Sequence, residues 1–337
     1  MTNTKNIKYS ILELAFVSSG STVAETFKNS LDLAQKAEEM GYTRFWFAEH
    51  HNMISIASCA TALLIGNIAQ GTKTIKVGSG GIMLPNHSPL IVSEQFGTLG
   101  TLFPDRIDLG LGRAPGTDQV TAHAIRSDRM NAVHNFQGEI EAIQQYFSID
   151  NAHSQVRANV AEGVNVPLYI LGSSTDSAHL AAKLGLPYAF ASHFATSQLF
   201  DALEIYRREF QPSEFLDKPY TIAGVNIIAA ATDEEAERNF TSLIRMFLGV
   251  LTGKREFLQP PSEMTDDFMM LQHNPSVRDM LRYCFVGRKE AVKKQLDRFL
   301  EQTGVDEIIA VSNMHGHNDR VKSYEILAEI MKERNVA

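Results

Sequence analysis

Eight short apolar runs recur along the chain, each followed by a polar junction and a helical pattern. This alternation limits the architectures open to it. The runs cover residues 9–15, 44–48, 75–78, 107–111, 167–171, 188–191, 222–229 and 307–311. Most are rich in β-branched, aromatic or leucine residues and apolar nearly throughout, as strands covered on both faces of a parallel sheet must be. Helical segments lie between them. Thr22 with Glu25 three residues on forms a capping box. Val23, Phe27, Leu31, Ala34 and Ala37 follow at helical spacing, and Gly41 stands where a C-terminal glycine belongs. A second box, Thr232 with Glu235, opens a helix toward Leu248. Further helices are expected at 57–69, 90–102, 175–184, 197–210, 289–301 and 319–332. The pattern predicts an α/β fold, a closed (β/α)8 TIM barrel, with a doubly wound open sheet as the competing architecture.

A chain of 337 residues suits one such barrel, so a single domain over 1–337 is expected. Residues 249–283 break the rhythm between strands seven and eight. They are rich in Pro, Met, Phe and acidic residues, and read either as a lid over the barrel mouth or as a disordered loop. The net charge of −8 lacks the basic footprint of a nucleic-acid binder. No apolar run is long enough to span a membrane. The polar stretch from Met1 to Ser10 has no signal-peptide core, and the two cysteines, Cys59 and Cys284, are far apart and outside any ligand spacing. A cytoplasmic protein with reduced thiols is expected.

In a closed barrel the C-terminal strand ends converge on one face, where chemistry takes place. Polar residues gather at these ends: Glu49-His50-His51-Asn52 after strand two, Ser79-Gly80-Gly81 and then Asn86-His87 after strand three, and Gly112-Arg113 after strand four. Gly172-Ser173-Ser174 follows strand five, Ser192-His193 strand six, and Asn313, His315 and His317 strand eight. A single histidine is ordinarily a hydrogen-bonded loop residue; their recurrence on one face favours a functional pocket. Gly110 and Gly112 allow close approach of a ligand to the backbone, and Arg113 offers a planar cationic fork. Ser173, Ser174 and Ser177 surround the start of the helix at 175–184. An ordinary N-cap accounts for such residues, but with Arg113 on the neighbouring strand they read as a phosphate site, suited to a mononucleotide.

Other chemistries are poorly served. Gly110-x-Gly112-x-x-x-Gly116 has the wrong spacing for a dinucleotide fingerprint, and Pro115 disturbs the helix start. The glycines at 66 and 71 resemble a P-loop, with Lys73 displaced by one residue. Glu49-His50-His51 places adjacent side chains in different directions, too few for a zinc site, so no metal is expected. No nucleophile elbow is present.

Taken in order and spacing, the motifs Phe47-Ala48-Glu49-His50-His51, Gly78-Ser79-Gly80-Gly81-Ile82-Met83-Leu84-Pro85, Arg106-Ile107-Asp108-Leu109-Gly110-Leu111-Gly112-Arg113 and Leu171-Gly172-Ser173-Ser174 resemble the bacterial luciferase-like flavin-dependent monooxygenases, in the branch containing Gly-Arg-Ala-Pro-Gly. The resemblance covers nearly the whole chain. It implies a TIM barrel that binds FMN at its C-terminal mouth. Arg113, Ser174 and Ser177 would hold the phosphate, with Gly112, Gly172 and Ser173 alongside. Gly80 and Gly81 would form the family's non-prolyl cis peptide beneath the flavin ring, and His50 would be the active-site histidine. Gly112 stands where luciferase carries a reactive cysteine, so light emission and thiol chemistry are not implied. The implied reaction is a two-component monooxygenation, in which a separate flavin reductase supplies reduced FMN and O2 is used on a small organic substrate. A related hydride transfer with F420 and a non-catalytic flavin-binding role are the alternatives. A homodimer is also implied. The apolar helices at 57–69 and 90–102 could form its interface, although core packing accounts for their apolar faces.

Overall fold

The computed structural model describes residues 6–336. It is built of β1 (Lys8–Glu13), α1 (Val23–Met40), β2 (Arg44–Phe47), α2 (Thr61–Gly71), β3 (Lys76–Met83), α3 (Pro89–Leu102) and β4 (Ile107–Gly112). Helices α4 (Gln119–Ile125), α5 (Arg129–His134) and α6 (Phe136–Phe147) lead to β5 (Leu168–Gly172), α7 (Thr175–Leu184), β6 (Tyr188–Phe190), α8 (Leu199–Glu209) and β7 (Thr221–Ala229). The chain ends with α9 (Asp233–Thr252), α10 (Asp266–His273), α11 (Pro275–Met280), β8 (Cys284–Gly287), α12 (Lys289–Thr303), β9 (Glu307–Val311) and α13 (His317–Val336). The strands pair in parallel in the order β1-β2-β3-β4-β5-β6-β7-β9, and β9 returns to β1, so eight strands close a barrel. The doubly wound alternative is thereby excluded. Among the described residues no helix is long and apolar enough to cross a membrane.

The alternation along each strand divides the core into two layers. Leu12, Trp46, Tyr169, Ile222, Ile309 and Val311 fill the barrel interior. Their neighbours, among them Ile11, Phe45, Phe47, Ile170 and Ile308, pack outward against the helices. The α1 capping box forms as expected, with Thr22 accepting from the Glu25 N–H and Gly41 ending the helix at φ +83°.

Several boundaries depart from the sequence reading. The third strand was expected to stop at Gly78 but continues to Met83, with a register shift opposite β4 and a cis peptide at Gly80-Gly81. Glycines that look like a loop are here the means of close strand packing: a Cβ at Gly110 would lie 2.2 Å from the Ser79 carbonyl oxygen. Residues 57–60 stay outside α2. Helices α4, α5 and α6 were not expected at all. The chain also forms β8, a short strand paired with the outer half of β7 from Asn226 to Ala229, outside the closed ring. The insertion begins later than 249, because α9 continues to Thr252.

At the N-terminal end of the barrel, the interior is polar. Arg44 donates through Nε and Nη2 to both oxygens of Glu307, at 2.7 and 3.1 Å, and through Nη1 to Asp108 and Tyr169, at 2.7 and 2.8 Å. Trp46 Nε1 also donates to Asp108, at 3.0 Å, and the Tyr220 hydroxyl donates to Glu307, at 2.6 Å. Removing one member of such a buried set leaves uncompensated charge. Arg44→Met is therefore expected to destabilise the barrel by about 3–5 kcal/mol, read as a lowered urea midpoint with an unchanged slope.

Candidate active site

The opposite end of the barrel opens into a cavity of about 860 Å3, within the range of small-molecule sites. His50, Gly80, Gly112, Arg113, Gly172, Ser173, Ser174 and Ser177 all line it. Gly81 does not; it lies against β4, where an added Cβ would be 2.7 Å from the Gly110 carbonyl oxygen. The insertion contributes to the mouth: Lys254, Arg255 and Phe257 line the cavity, and Leu258 bridges to Ser18.

Beneath this rim, Glu49 organises the ends of β2 and β3. Its fully buried carboxylate accepts from His51 Nε2 and His87 Nε2, each at 2.9 Å, from the Met83 N–H at 2.9 Å and from Asn86 Nδ2 at 3.1 Å. Burial alone would raise its pKa. The hydrogen bonds from both histidines, the charge of His87 and the backbone donor outweigh burial and hold the pKa at about 2. The sequence reading took His50 as the active-site histidine, and weighed Glu49 and His51 as metal ligands before setting a metal aside. In the structure His51 and His87 are instead hydrogen-bonded to the carboxylate, and among the described residues no His, Cys, Asp and Glu cluster could hold a metal ion.

His50, the next residue, turns to the cavity. Its Nδ1 lies 3.2 Å from the Gly116 carbonyl oxygen, which can only accept, so Nδ1 carries the proton and Nε2 is left bare. Burial lowers the imidazole pKa, with Gly116 and Glu49 opposing and His51 and Arg255 assisting. His50 thus presents a neutral, proton-accepting nitrogen.

The anion cradle lies across β4 and β5. Arg113 is about half exposed and meets Asp176 at 3.2 Å, an ion pair weak enough to open for a ligand. Ser174 is the N-cap of α7, yet its side chain makes no capping hydrogen bond, so its hydroxyl is available. Ser177 is committed elsewhere. Its hydroxyl donates to the Ser174 carbonyl at 2.7 Å and lies 3.0 Å from the Tyr188 hydroxyl. A Cβ at Gly172 would lie 2.0 Å from Ser177 Oγ, so these two residues are matched to one another. Arg129, which the sequence reading passed over, holds the cradle's backbone by donating to the Arg113 carbonyl at 3.1 Å and to Asn86 Oδ1 at 2.9 Å.

Comparison with known proteins identifies the family. The family model for luciferase-like monooxygenases matches residues 7–307. The chain belongs to the luciferase-like monooxygenase family. It is 45% identical to the luciferase-like monooxygenase of Escherichia coli (strain K12), over 98% of each chain. It is 31% identical to the N-acetyl-S-alkylcysteine monooxygenase of Bacillus subtilis (strain 168), covering 96% of this chain and 98% of that one. The crystal structure of apo-MsnO8 superimposes with a TM-score of 0.87 at 35% identity, over 97% of this chain and 98% of that one.

The Glu49 cluster has a measurable signature. The native carboxyl ionises near pH 2, and the unfolded one near its ordinary value of 4.5. Between these values the unfolded chain binds the extra proton. Stability from Glu49 is therefore complete above about pH 5 and is lost as the pH falls toward 2. In Glu49→Gln this contribution, about 3 kcal/mol by the shift, should vanish from the acid limb of a stability–pH curve.

Proposed function

We propose that this enzyme is an FMN-dependent, two-component monooxygenase acting on a small organic substrate. The observation that carries the reading is the pairing of one anion cradle with one bare imidazole nitrogen, on adjoining walls of a largely apolar cavity. Arg113, the free Ser174 hydroxyl and the N-terminus of α7 fit a single phosphate group. Gly80, which carries no side chain, would leave the flavin ring room on the barrel floor. Bound there, reduced FMN would supply the activation of O2.

The protein's own part follows from its residues. His50 Nε2 accepts a proton at the reacting centre, and its neutral form persists at pH 7 because of burial. Residues 253–283 act as a lid that keeps water out of the mouth. Ser177 serves the cradle indirectly by fixing the Ser174 carbonyl. Because the chain carries no dinucleotide fingerprint, a separate reductase provides the reduced flavin. The exposed Leu63 on α2 and the exposed Ile91 and Leu102 on α3 supply an apolar face for a second copy of the chain.

Anaerobic titration with reduced FMN, followed by admission of oxygen, tests the reading. Saturable binding and flavin oxidation slower than in free solution are expected. Arg113→Ala should weaken FMN binding by tenfold or more. Asp176→Asn should strengthen it by up to about fivefold, since it frees Arg113 and removes a like charge beside the phosphate. Tight binding of F420 with no binding of FMN would overturn the assignment.

A further inference from the structure

The wall opposite His50 has no part in the reading above. In the closed strand order, β2 and β6 are four strands apart in both directions, so they face one another across the mouth. Just past the end of β6 stands His193, and it too lines the cavity. The fold makes deliberate room for its ring. Gly224 on β7 faces it, and a Cβ there would lie 2.4 Å from His193 Nδ1. Asn226, two residues along the same face of β7, donates through Nδ2 to the His193 carbonyl. Ser192 Oγ donates to the Gly224 carbonyl at 2.7 Å. The Phe194 ring meets the imidazole edge-on, with centroids 5.0 Å apart.

The ring is therefore held by its backbone and its packing, while its own nitrogens have no protein partners. His193 Nδ1 is sealed against Gly224 without a hydrogen bond, and Asn226 Oδ1 nearby is likewise unpaired. Native proteins rarely leave buried polar atoms so, and a sealed N–H is the rarer and costlier case. The proton consequently resides on Nε2, the nitrogen that is not sealed and makes no hydrogen bond within the protein. Burial, with a smaller effect of His50, pushes the imidazole pKa down to about 3 and keeps the ring neutral. Phe194 packs against it, and Met246, Phe247 and Met280, together with Asn226 and Arg245, are among the other residues that line the cavity.

We propose that His193 is the substrate-positioning residue of this enzyme, donating its Nε2–H to a neutral oxygen acceptor, of the carbonyl type, on an otherwise apolar substrate. The two imidazoles then divide the work. His50 presents an acceptor from β2, and His193 presents a donor from β6. His193 is a neutral donor and brings no charge of its own to balance a carboxylate, so it suits an uncharged carbonyl. The inference rests on the proposed placement of the flavin at the β3–β5 side, which leaves the β6–β7 side for substrate.

The test uses the full-length protein loaded with oxidised FMN and a matched pair of probes, 2-heptanone and its alkene isostere 2-methyl-1-heptene. Dissociation constants come from ligand-observed NMR. In wild type the ketone is expected to be preferred. In His193→Phe the ratio of alkene to ketone dissociation constants should fall about fivefold. His193→Gln, which retains an N–H donor, should restore much of it. FMN affinity should be the same in all three proteins, which a merely structural role for the ring would not allow. Independently, nitrogen chemical shifts of labelled histidine should show His193 neutral at pH 5 with its proton on Nε2. An unchanged ratio in His193→Phe, a proton on Nδ1, or no binding of the ketone to FMN-loaded wild type would each overturn the proposal. Failure of wild type to bind FMN would instead count against the flavin assignment, and the tautomer and probe measurements on the free protein would still decide the role of His193.

Discussion

One buried guanidinium holds the barrel together from the inside. Arg44 begins β2 and reaches β4, β5 and β9 through Asp108, Tyr169 and Glu307. It is a single positive charge set against two carboxylates. The remaining negative charge is spread over the donors of Trp46, Tyr220 and Ser10, while Asp108 Oδ1 receives none. Burial of this kind is poor as a source of net stability, but it is demanding about geometry. Only one register of the strands brings all these groups within reach. Apolar residues would tolerate a slip that this cluster does not.

The upper end depends on the same strand. Arg44 begins β2 and Glu49 stands two residues past its end; between them Phe45 and Phe47 face the helices and Trp46 and Ala48 the interior. Glu49 gathers His51, His87, Asn86 and the Met83 N–H, and through Asn86 it also reaches the Pro115 carbonyl. The turn at 115–116 in turn supplies the carbonyl that sets the tautomer of His50. The proton state of the catalytic candidate is therefore decided by a chain of contacts anchored in the barrel wall.

Much of this was legible in the amino-acid sequence, and for a definite reason. Apart from the few buried polar residues that pair with one another, strands covered on both faces are apolar, so the eight barrel strands stand out as apolar runs. The polar residues at their ends then mark the mouth without further information. What could not be read depends on pairing in space. The glycines of β3 resemble a loop until β4 is laid beside them. Strand β8 is four residues long and gains its identity from the outer half of β7. In α6, Phe136, Ile140 and Ile143 carry a helical period that was present in the sequence but went unread beside the Pro-Gly turn at 115–116. Ser177 and Ser174 look alike in sequence; only the neighbouring Tyr188 hydroxyl and Ser174 carbonyl show that one is bound and the other available.

Strand β8 has a consequence for how such an enzyme can change. It fastens the return leg of the insertion to β7 just beyond the barrel, and α9 departs from that same strand's end. The segment between them, which includes α10 and α11, leaves from the far end of α9 and returns to β7 through β8. Lengthening a loop of this kind costs little, about 0.6 kcal/mol for each doubling. Residues 253–283 supply none of the hydrogen bonds of the Glu49 cluster or of the anion cradle, so exchanges there leave both sets of contacts in place. In the role proposed for it, the segment that shapes the substrate's surroundings shares no residue with the Arg44 and Glu49 clusters, so specificity can change in a lineage without disturbing the contacts that fix the barrel.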